Sequence, residues 1–228
     1  SASFLPTMKH AIFLTLLISL TQSQAFDYDT TTWFKGNTHT HSLWSDGNDF
    51  PEMIIDWYKS RGYEFLALTD HNILQEGDKW MDLEAIKKRQ RALGRDAVSK
   101  CVARFGKDWI QWETRKEKKG IVMKTLEQCR AEFEELGKFY LLPAEEVSNS
   151  ASKKPVHINA LNISGVVPAV KDDEATVADV MQQSFQVIED HGKKSGKPIL
   201  AHLNHPNFQW AVTADDLAML RLDRSSDS

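Results

Sequence analysis

The histidines of this chain are placed after short apolar runs, a pattern that indicates metal chemistry. Six of the eight histidines lie in or just after such runs. His39 and His41 are two residues apart, so on an extended chain both imidazoles point to the same side. Two imidazoles placed in this way suit one divalent ion. Further residues of metal-binding type follow at Asp46, Asp70, His71, Glu145, Glu146, His157, His202 and His205.

Imidazole and carboxylate ligands without a thiolate suit Zn²⁺, Mn²⁺ or Fe²⁺. The candidate ligands outnumber what one tetrahedral ion needs, so the sequence predicts a cluster of two or three ions. Such ions lower the pKa of bound water toward ~7 and supply hydroxide at neutral pH, which makes metal-assisted hydrolysis the expected reaction. Asp70 precedes His71 and is expected either to orient a ligand or move a proton, or to cap a turn at a strand end.

The elements that must position these residues alternate along the chain. Pro51 and Gly62 predict the start and the end of a helix, and the apolar spacing over 174–194 predicts another. This alternation predicts an α/β domain with parallel strands, whose carboxyl ends carry the site. The predicted strands are residues 33–38, 65–69, 139–142, 156–161 and 199–203.

The stretch from about residue 73 to residue 138 is long and charged, and it predicts a helical insert between strands. Two apolar stripes indicate two amphipathic helices. The stripes are Leu93, Ala97, Cys101 and Phe105, then Leu126, Cys129, Phe133 and Leu136. The basic clusters at 87–91 and 115–119 are interpreted as a solvated helix face and a loop. Cys101 and Cys129 lie on apolar faces, where they are either buried free thiols or a disulfide pair.

Composition excludes several classes of protein. The formal net charge of −4 gives no basic field for coating nucleic acid, and two cysteines cannot form a disulfide scaffold. Residues 8–25 have a positive start, a ten-residue apolar run and small residues at a cleavage site, which predicts a secretory signal peptide. That run is too short to span a membrane. We therefore expect a periplasmic or secreted protein without a membrane anchor after cleavage, with residues 1–7 as upstream read-through; the oligomeric state is left open.

In combination, the motifs of residues 34–217 resemble the PHP superfamily, named for polymerase and histidinol phosphatase. The motifs that carry the resemblance are His-Thr-His at 39–41, Ser-Asp-Gly at 45–47, Thr-Asp-His-Asn at 69–72, Glu-Val-Ser at 146–148, His157 in its apolar run and His-Pro-Asn at 205–207.

The resemblance implies a distorted (β/α)7 TIM-like barrel with three metal ions at the carboxyl ends of its strands. It implies that His39 and His41 bind the first ion and that Glu146 bridges the first and second. By the same resemblance His157 and His205 complete the second ion, and Asp46 and His71 hold the third. Glu146 is preferred to Glu145 because Val147 and Ser148 follow it, as in the family motif. His202 is expected to support the ligands or to pack.

The sequence departs from the family at its end. PHP domains end with a strand that carries Asp-x-His, and no histidine follows His205. We therefore expect residues 26–228 to form a single, incomplete barrel that lacks its last strands. The expected function is a metal-dependent phosphoesterase with a small-molecule substrate and no nucleic-acid partner. The alternatives are a hydrolase of carbamates or other esters, and a metal-binding remnant without turnover.

Overall fold

A computed structural model of the protein describes residues 32–90 and 96–220. The chain divides into residues 1–33, almost all outside the described ranges, and Phe34–Ser228, which holds every element named below. The predicted signal peptide and residues 1–7 lie outside the described residues, as does the chain end at 221–228. Within the described ranges, no helix has both the length and the apolar character needed to cross a bilayer.

Over the described residues, the fold is a mixed α/β arrangement with six α-helices and a main sheet that curls into half a barrel. In chain order the elements are β1 (Gly36–Asn37), α1 (Pro51–Lys59), β2 (Phe65–Leu68), β3 (Trp80–Asp82), α2 (Leu83–Gln90), α3 (Ala97–Phe105), β4 (Trp112–Arg115), β5 (Lys118–Val122), α4 (Leu126–Phe133), β6 (Tyr140–Ala151), β7 (Lys154–Leu161), β8 (Lys171–Asp172), α5 (Val177–Ser195), β9 (Leu200–Leu203) and α6 (Ala214–Ala218).

The main sheet has the order β1-β2-β6-β7-β9, with β8 paired to the end of β6. The prediction of parallel strands holds for β1, β2 and β6, which run side by side in one direction. It is wrong for β7, which is antiparallel to both β6 and β9. A tight turn at Ser152 and Lys153, both with positive φ, reverses the chain between β6 and β7. Because only β7 is reversed, its first residues lie beside the carboxyl ends of the other strands.

Two predicted helices lie where the sequence placed them. Pro51 is at the first position of α1, where its missing N–H costs nothing, and Gly62 follows the helix in the left-handed region. Helix α5 begins at a capping box between Thr176 and Asp179 and ends at Gly196, which is left-handed. The two helices and α4 cover the outer face of the sheet, where Ile55, Leu126 and Ile188 join its apolar residues in the largest core cluster.

The insert contains a second sheet, which corrects the expectation of two helices alone. Strands β3, β5 and β4 form an antiparallel sheet in that order. The basic cluster at 115–119 forms the turn and strand ends of the β4–β5 hairpin. Helix α4 ends at Phe133, so Leu136 is fully exposed and does not belong to the predicted stripe. Leu93 lies outside the described residues.

The two cysteines are buried free thiols. Cys101 packs in an apolar cluster that the insert forms with residues 43–50, whereas Cys129 packs in the main core. Burial raises the pKa of both thiols, which keeps them protonated and unreactive at neutral pH. Trp44 belongs to the same cluster as Cys101, and its indole N–H donates to the carbonyl of Lys124. The indole of Trp44 is therefore part of the core.

Candidate metal centre

One buried carboxylate, that of Glu146, lies at the centre of the predicted ligands. Its side chain is fully buried, and five imidazoles surround it. The oxygen–nitrogen distances are 3.0 Å to His205, 3.4 Å to His157 and 3.8 Å to His39 from Oε1, and 3.2 Å to His41 and 3.0 Å to His71 from Oε2. The structure thus brings together every imidazole that the resemblance assigned to a metal ion.

Asp46 lies on the other side of two of these imidazoles. Its Oδ1 is 2.7 Å from Nδ1 of His41, and its Oδ2 is 3.5 Å from Nε2 of His71. His41 and His71 therefore each lie between the carboxylates of Asp46 and Glu146. All seven predicted ligands belong to one continuous cluster of rings and carboxylates.

Three groups of side chains within this cluster have ligand atoms within 4.8 Å of one another, as a bound metal ion requires. The groups are His39, His41 and Glu146; His41, Asp46 and His71; and His71, Glu146 and His157. The first group contains the three residues of this chain that the resemblance implied for the first ion. His71 belongs to two groups, although the resemblance implied only the third ion for it. His205 belongs to none of the three, although its ring contacts Glu146.

The register of β6 and β7 explains why ligands from the two strands meet. Glu146 lies opposite Asn159, and Ser148 lies opposite His157. Since side chains alternate between faces along a strand, these four residues share the inner face of the curled sheet. His157 reaches the cluster because β7 runs antiparallel and begins at this edge.

The loop after β1 is built around Asp70. The buried carboxylate of Asp70 accepts hydrogen bonds from the backbone N–H and hydroxyl groups of both Ser42 and Ser45, at 2.6 to 3.0 Å. It also accepts one at 2.9 Å from the side chain of Gln75. These bonds fix the loop that carries Asp46, so the contacts favour the capping role among the two that the sequence left open. A proton-transfer role for Asp70 stays a prediction.

Gly47 lets this loop approach the predicted ligand His41. A Cβ atom at position 47 would lie 2.5 Å from the backbone carbonyl of His41 and 2.6 Å from the nitrogen of Ser42. Real Cβ atoms do not approach backbone so closely, so any other residue would push the loop away from His41. The Ser-Asp-Gly motif thus combines a predicted ligand, Asp46, with the glycine that the close approach of the loop requires.

Contacts of Asn72 and Ser148 orient the ring of His71. Asn72 has a positive φ, which asparagine tolerates better than most residues, and its side chain accepts a hydrogen bond from the N–H of Ser148 at 2.8 Å. The hydroxyl of Ser148 lies 2.6 Å from Nδ1 of His71. These contacts join the end of β2 to the middle of β6 and hold the His71 ring beside Glu146.

Two asparagines in the cluster were missed by the sequence analysis. Asn204 donates to Oε1 of Glu146 at 2.8 Å and to the side-chain oxygen of Asn159. Asn159 in turn donates to the carbonyl of Thr38 at 2.6 Å, and its amide lies 3.3 Å from Nε2 of His202. His202 therefore contacts this amide network rather than a predicted ligand. The available signal was position, because Asn159 follows His157 by two residues and Asn204 precedes His205.

The charges of the cluster shift the pKa values of its members in opposite directions. Burial lowers the pKa of His41, but contacts with Glu146 and Asp46 outweigh it and raise that pKa to about 9. The hydrogen bond with Glu146 is the main reason why the pKa of His71 is raised. Burial is the main reason why the pKa of His39 is lowered. Burial raises the pKa of Glu146, but its histidine contacts outweigh that effect and hold the pKa well below its usual range.

The polar atoms at the centre fit a bound metal ion. Oε2 of Glu146 and Nδ1 of His157 are buried, and apart from their contacts with each other's side chains and with His41 and His71 they have no hydrogen-bond partner among the described residues. Such atoms nearly always have partners in native proteins, and a divalent ion would supply one. The donor set of imidazoles and carboxylates suits Zn²⁺, Mn²⁺ or Fe²⁺ and does not identify which.

Glu145 lies outside the cluster. It is on the opposite face of β6, where it is fully buried and its Oε1 accepts a hydrogen bond from the N–H of Val167 at 2.5 Å. Burial raises its pKa to about 7, although the bond from Val167 opposes the shift. Between the two adjacent glutamates, the structure places Glu146 among the predicted ligands.

Comparisons with known proteins identify no family for this chain. No protein-family model matches the chain. No curated protein matches it either. The geometry of the cluster is therefore the basis for any functional conclusion.

Proposed function

We propose that the chain is a metal-dependent hydrolase of the PHP type, with a small-molecule phosphoester as its substrate. The observation that carries the proposal is the carboxylate of Glu146, buried among five imidazoles and linked through His41 and His71 to Asp46. The curled half-barrel sheet supports the incomplete (β/α)7 barrel that the resemblance implies. The proposal includes export of the protein, on the sequence of residues 8–25.

The proposal assigns two or three divalent ions to the cluster. His39, His41 and Glu146 would hold one ion, and His41, Asp46 and His71 a neighbouring one. His71, Glu146 and His157 would hold a further ion, with the ring of His205 beside them at Oε1 of Glu146. When bound, such ions supply hydroxide at neutral pH and stabilise negative charge on the attacked group.

The protein residues around the ions have their own tasks. Asn204 donates to Oε1 of Glu146 and fixes the carboxylate that the ions would share. Asp70 holds the loop that carries Asp46. The side chains of His39 and His205 are about one-third exposed, so a substrate can reach the cluster from solvent. A substrate anion suits this site because divalent ions and imidazoles face it together.

The proposal is tested on the full chain, loaded in turn with Mn²⁺ and Zn²⁺. Metal content is measured by mass spectrometry. Hydrolysis is measured with p-nitrophenyl phosphate as the substrate. We expect Glu146→Gln to lose metal and to lower hydrolysis by at least about 100-fold. The matched variant is Glu145→Gln, one residue away on the opposite face of β6. It should keep both the bound metal and the hydrolysis activity.

Three outcomes separate the alternatives. A folded protein that binds no metal contradicts the proposal entirely. Bound metal with hydrolysis of p-nitrophenyl carbamates or acetates, and none of the phosphate, replaces the phosphoesterase by the ester or carbamate hydrolase. Bound metal without turnover of any of these substrates favours the metal-binding remnant.

A further inference from the structure

An aromatic ring at the rim of the metal centre has no role in the apolar core. Phe208 follows β9 in a short 3₁₀ turn, and its side chain is 46% exposed. Its ring centroid lies 5.4 Å from that of His205 and 5.9 Å from that of His157. Of the described residues, the four core clusters do not include Phe208. The ring thus touches two predicted ligands on one side and solvent on the other.

The backbone that presents this ring is strained. His205, Gln209 and Trp210 all have positive φ, which is uncommon for residues other than glycine. Backbone hydrogen bonds hold the loop in place, from Phe208 N–H to His205 at 2.8 Å and from Val212 N–H to Pro206 at 3.2 Å. Strain of this kind persists where surrounding structure enforces it, and it gathers at functional sites.

We infer that Phe208 forms an apolar wall for the leaving group of the substrate, and that the substrate class is monoesters of aromatic alcohols. The inference rests on the proposed function. An ester bound at the cluster places its phosphoryl group near the ions and its alcohol portion toward the rim. There the exposed face of Phe208 is available, and aromatic rings pair favourably at centroid distances of about 4.5 to 7 Å.

A cavity beside His41 is the competing location for an aromatic group. It has a volume of about 370 Å³, and Met53, Ile54, Trp57 and Tyr58 contribute to its walls. Among the predicted ligands, only His41 lines this cavity. The ion pair between Lys100 and Asp49 also lies in its wall. Phe208 contacts two ligand rings directly, so the geometry favours the rim loop over this cavity.

The test uses two phosphonates, which bear no hydrolysable ester bond. Binding of phenylphosphonate and of methylphosphonate to the metal-loaded full chain is measured by titration calorimetry. We expect the phenyl compound to bind about tenfold more tightly. Phe208→Ala should abolish this preference while it leaves the affinity for methylphosphonate and the metal content unchanged. Phe208→Tyr, which keeps the ring, should retain the preference.

Trp57→Ala is the matched control, because Trp57 lies in the competing cavity and contacts no predicted ligand ring. It should retain the preference; loss of the preference in Trp57→Ala and not in Phe208→Ala overturns the inference. Equal affinity for the two phosphonates in the unsubstituted chain, or no binding of either, also overturns it. Metal loss in Phe208→Ala overturns it too, because the ring then only supports the ligands. If the chain binds the phenyl compound more tightly but does not hydrolyse phenyl phosphate, the role of Phe208 is supported and the proposed hydrolase function is contradicted.

Discussion

The two faces of β6 carry adjacent glutamates in opposite electrostatic surroundings. On the inner face, histidine contacts hold the pKa of Glu146 far below its usual range despite burial. On the outer face, burial raises the pKa of Glu145 to about 7, opposed only by the N–H of Val167. Both side chains have no exposed surface. The difference shows that burial alone does not decide the charge of a carboxyl group, because the neighbours on each face do.

The inner face is therefore arranged for charge and the outer face for packing. Glu146, Ser148, Asn159 and His157 lie on the inner face and contact one another or the other ligands. Val147, by contrast, belongs to the main core on the outer face. The predictions below act on one face at a time.

The largest effect is expected from removal of the carboxylate at the centre of the inner face. Glu146→Ala should lower metal affinity by more than about 100-fold and reduce the number of bound ions, because this carboxylate belongs to two of the three candidate metal-binding groups. Asp46→Ala removes a carboxylate that is half exposed and contacts only His41 and His71 among the imidazoles, so a smaller loss is expected. Metal analysis of both purified variants measures the difference. Equal loss would contradict the bridging role of Glu146.

The next effect concerns stability on the outer face. The pKa of Glu145 is about 7 in the folded protein, against 4.5 as the ordinary value. A raised pKa contributes stability that is fully present below the ordinary value and is lost as the pH rises through about 7. This shift corresponds to roughly 3 kcal/mol of stability lost between pH 4.5 and pH 7. Glu145→Gln should remove this pH dependence.

Urea denaturation of the metal-free protein and of Glu145→Gln, at pH 5 and pH 8, measures the difference. Between pH 5 and pH 8 the free energy of unfolding of the unsubstituted chain should fall relative to that of Glu145→Gln. The variant should therefore compare more favourably with the unsubstituted chain at pH 8 than at pH 5. A constant difference at both values would show that Glu145 does not titrate in this range.

The clustering of the inner-face residues could be predicted from the sequence better than the topology of the sheet. The predicted ligands follow apolar runs, and helices α1 and α5 have clear start and end signals. The reversal at β7 was missed because its turn, Ser152 and Lys153, adopts positive φ at two residues that are neither glycine nor asparagine.

The insert was misread for the same physical reason. The β4–β5 hairpin turns at Lys116 and Glu117, which also both have positive φ. The sequence analysis interpreted the charged residues 115–119 as a loop, whereas pairing in the folded protein places Arg115, Lys118 and Lys119 in strands. Conversely, β6 extends to Ala151 through a polar segment whose side chains find partners far away in the chain, such as His205 for Glu146 and Val170 for Asn149. Long-range contacts of this kind leave no local pattern.

The third prediction sharpens the electrostatics of the inner face. The raised pKa of His41, about 9, means that a metal ion must displace a proton from its imidazole at neutral pH. Metal affinity should therefore rise by about tenfold per pH unit from pH 7 and level off above about pH 9. Asp46→Asn removes one of the two carboxylates that raise this pKa, so the plateau should begin at lower pH. Zn²⁺ titrations with a competing chelator at several pH values measure both; a flat profile would contradict the assignment.

The smallest effect is expected from the replacement of two buried asparagines, one on each face of β6. Asn204 donates to Glu146 on the inner face, and Asn149 accepts from the N–H of Val170 on the outer face. Asn204→Ala should lower metal affinity by about tenfold, because it frees the central carboxylate to rotate away from the ligands. Asn149→Ala should instead cost about 1 to 3 kcal/mol of unfolding free energy, since it leaves a buried N–H unpaired, and should leave metal affinity unchanged. Chelator competition and urea denaturation on both variants give the two readouts. If Asn149→Ala weakened metal binding as much as Asn204→Ala, the two faces of β6 would be coupled, and the division of roles between them would be wrong.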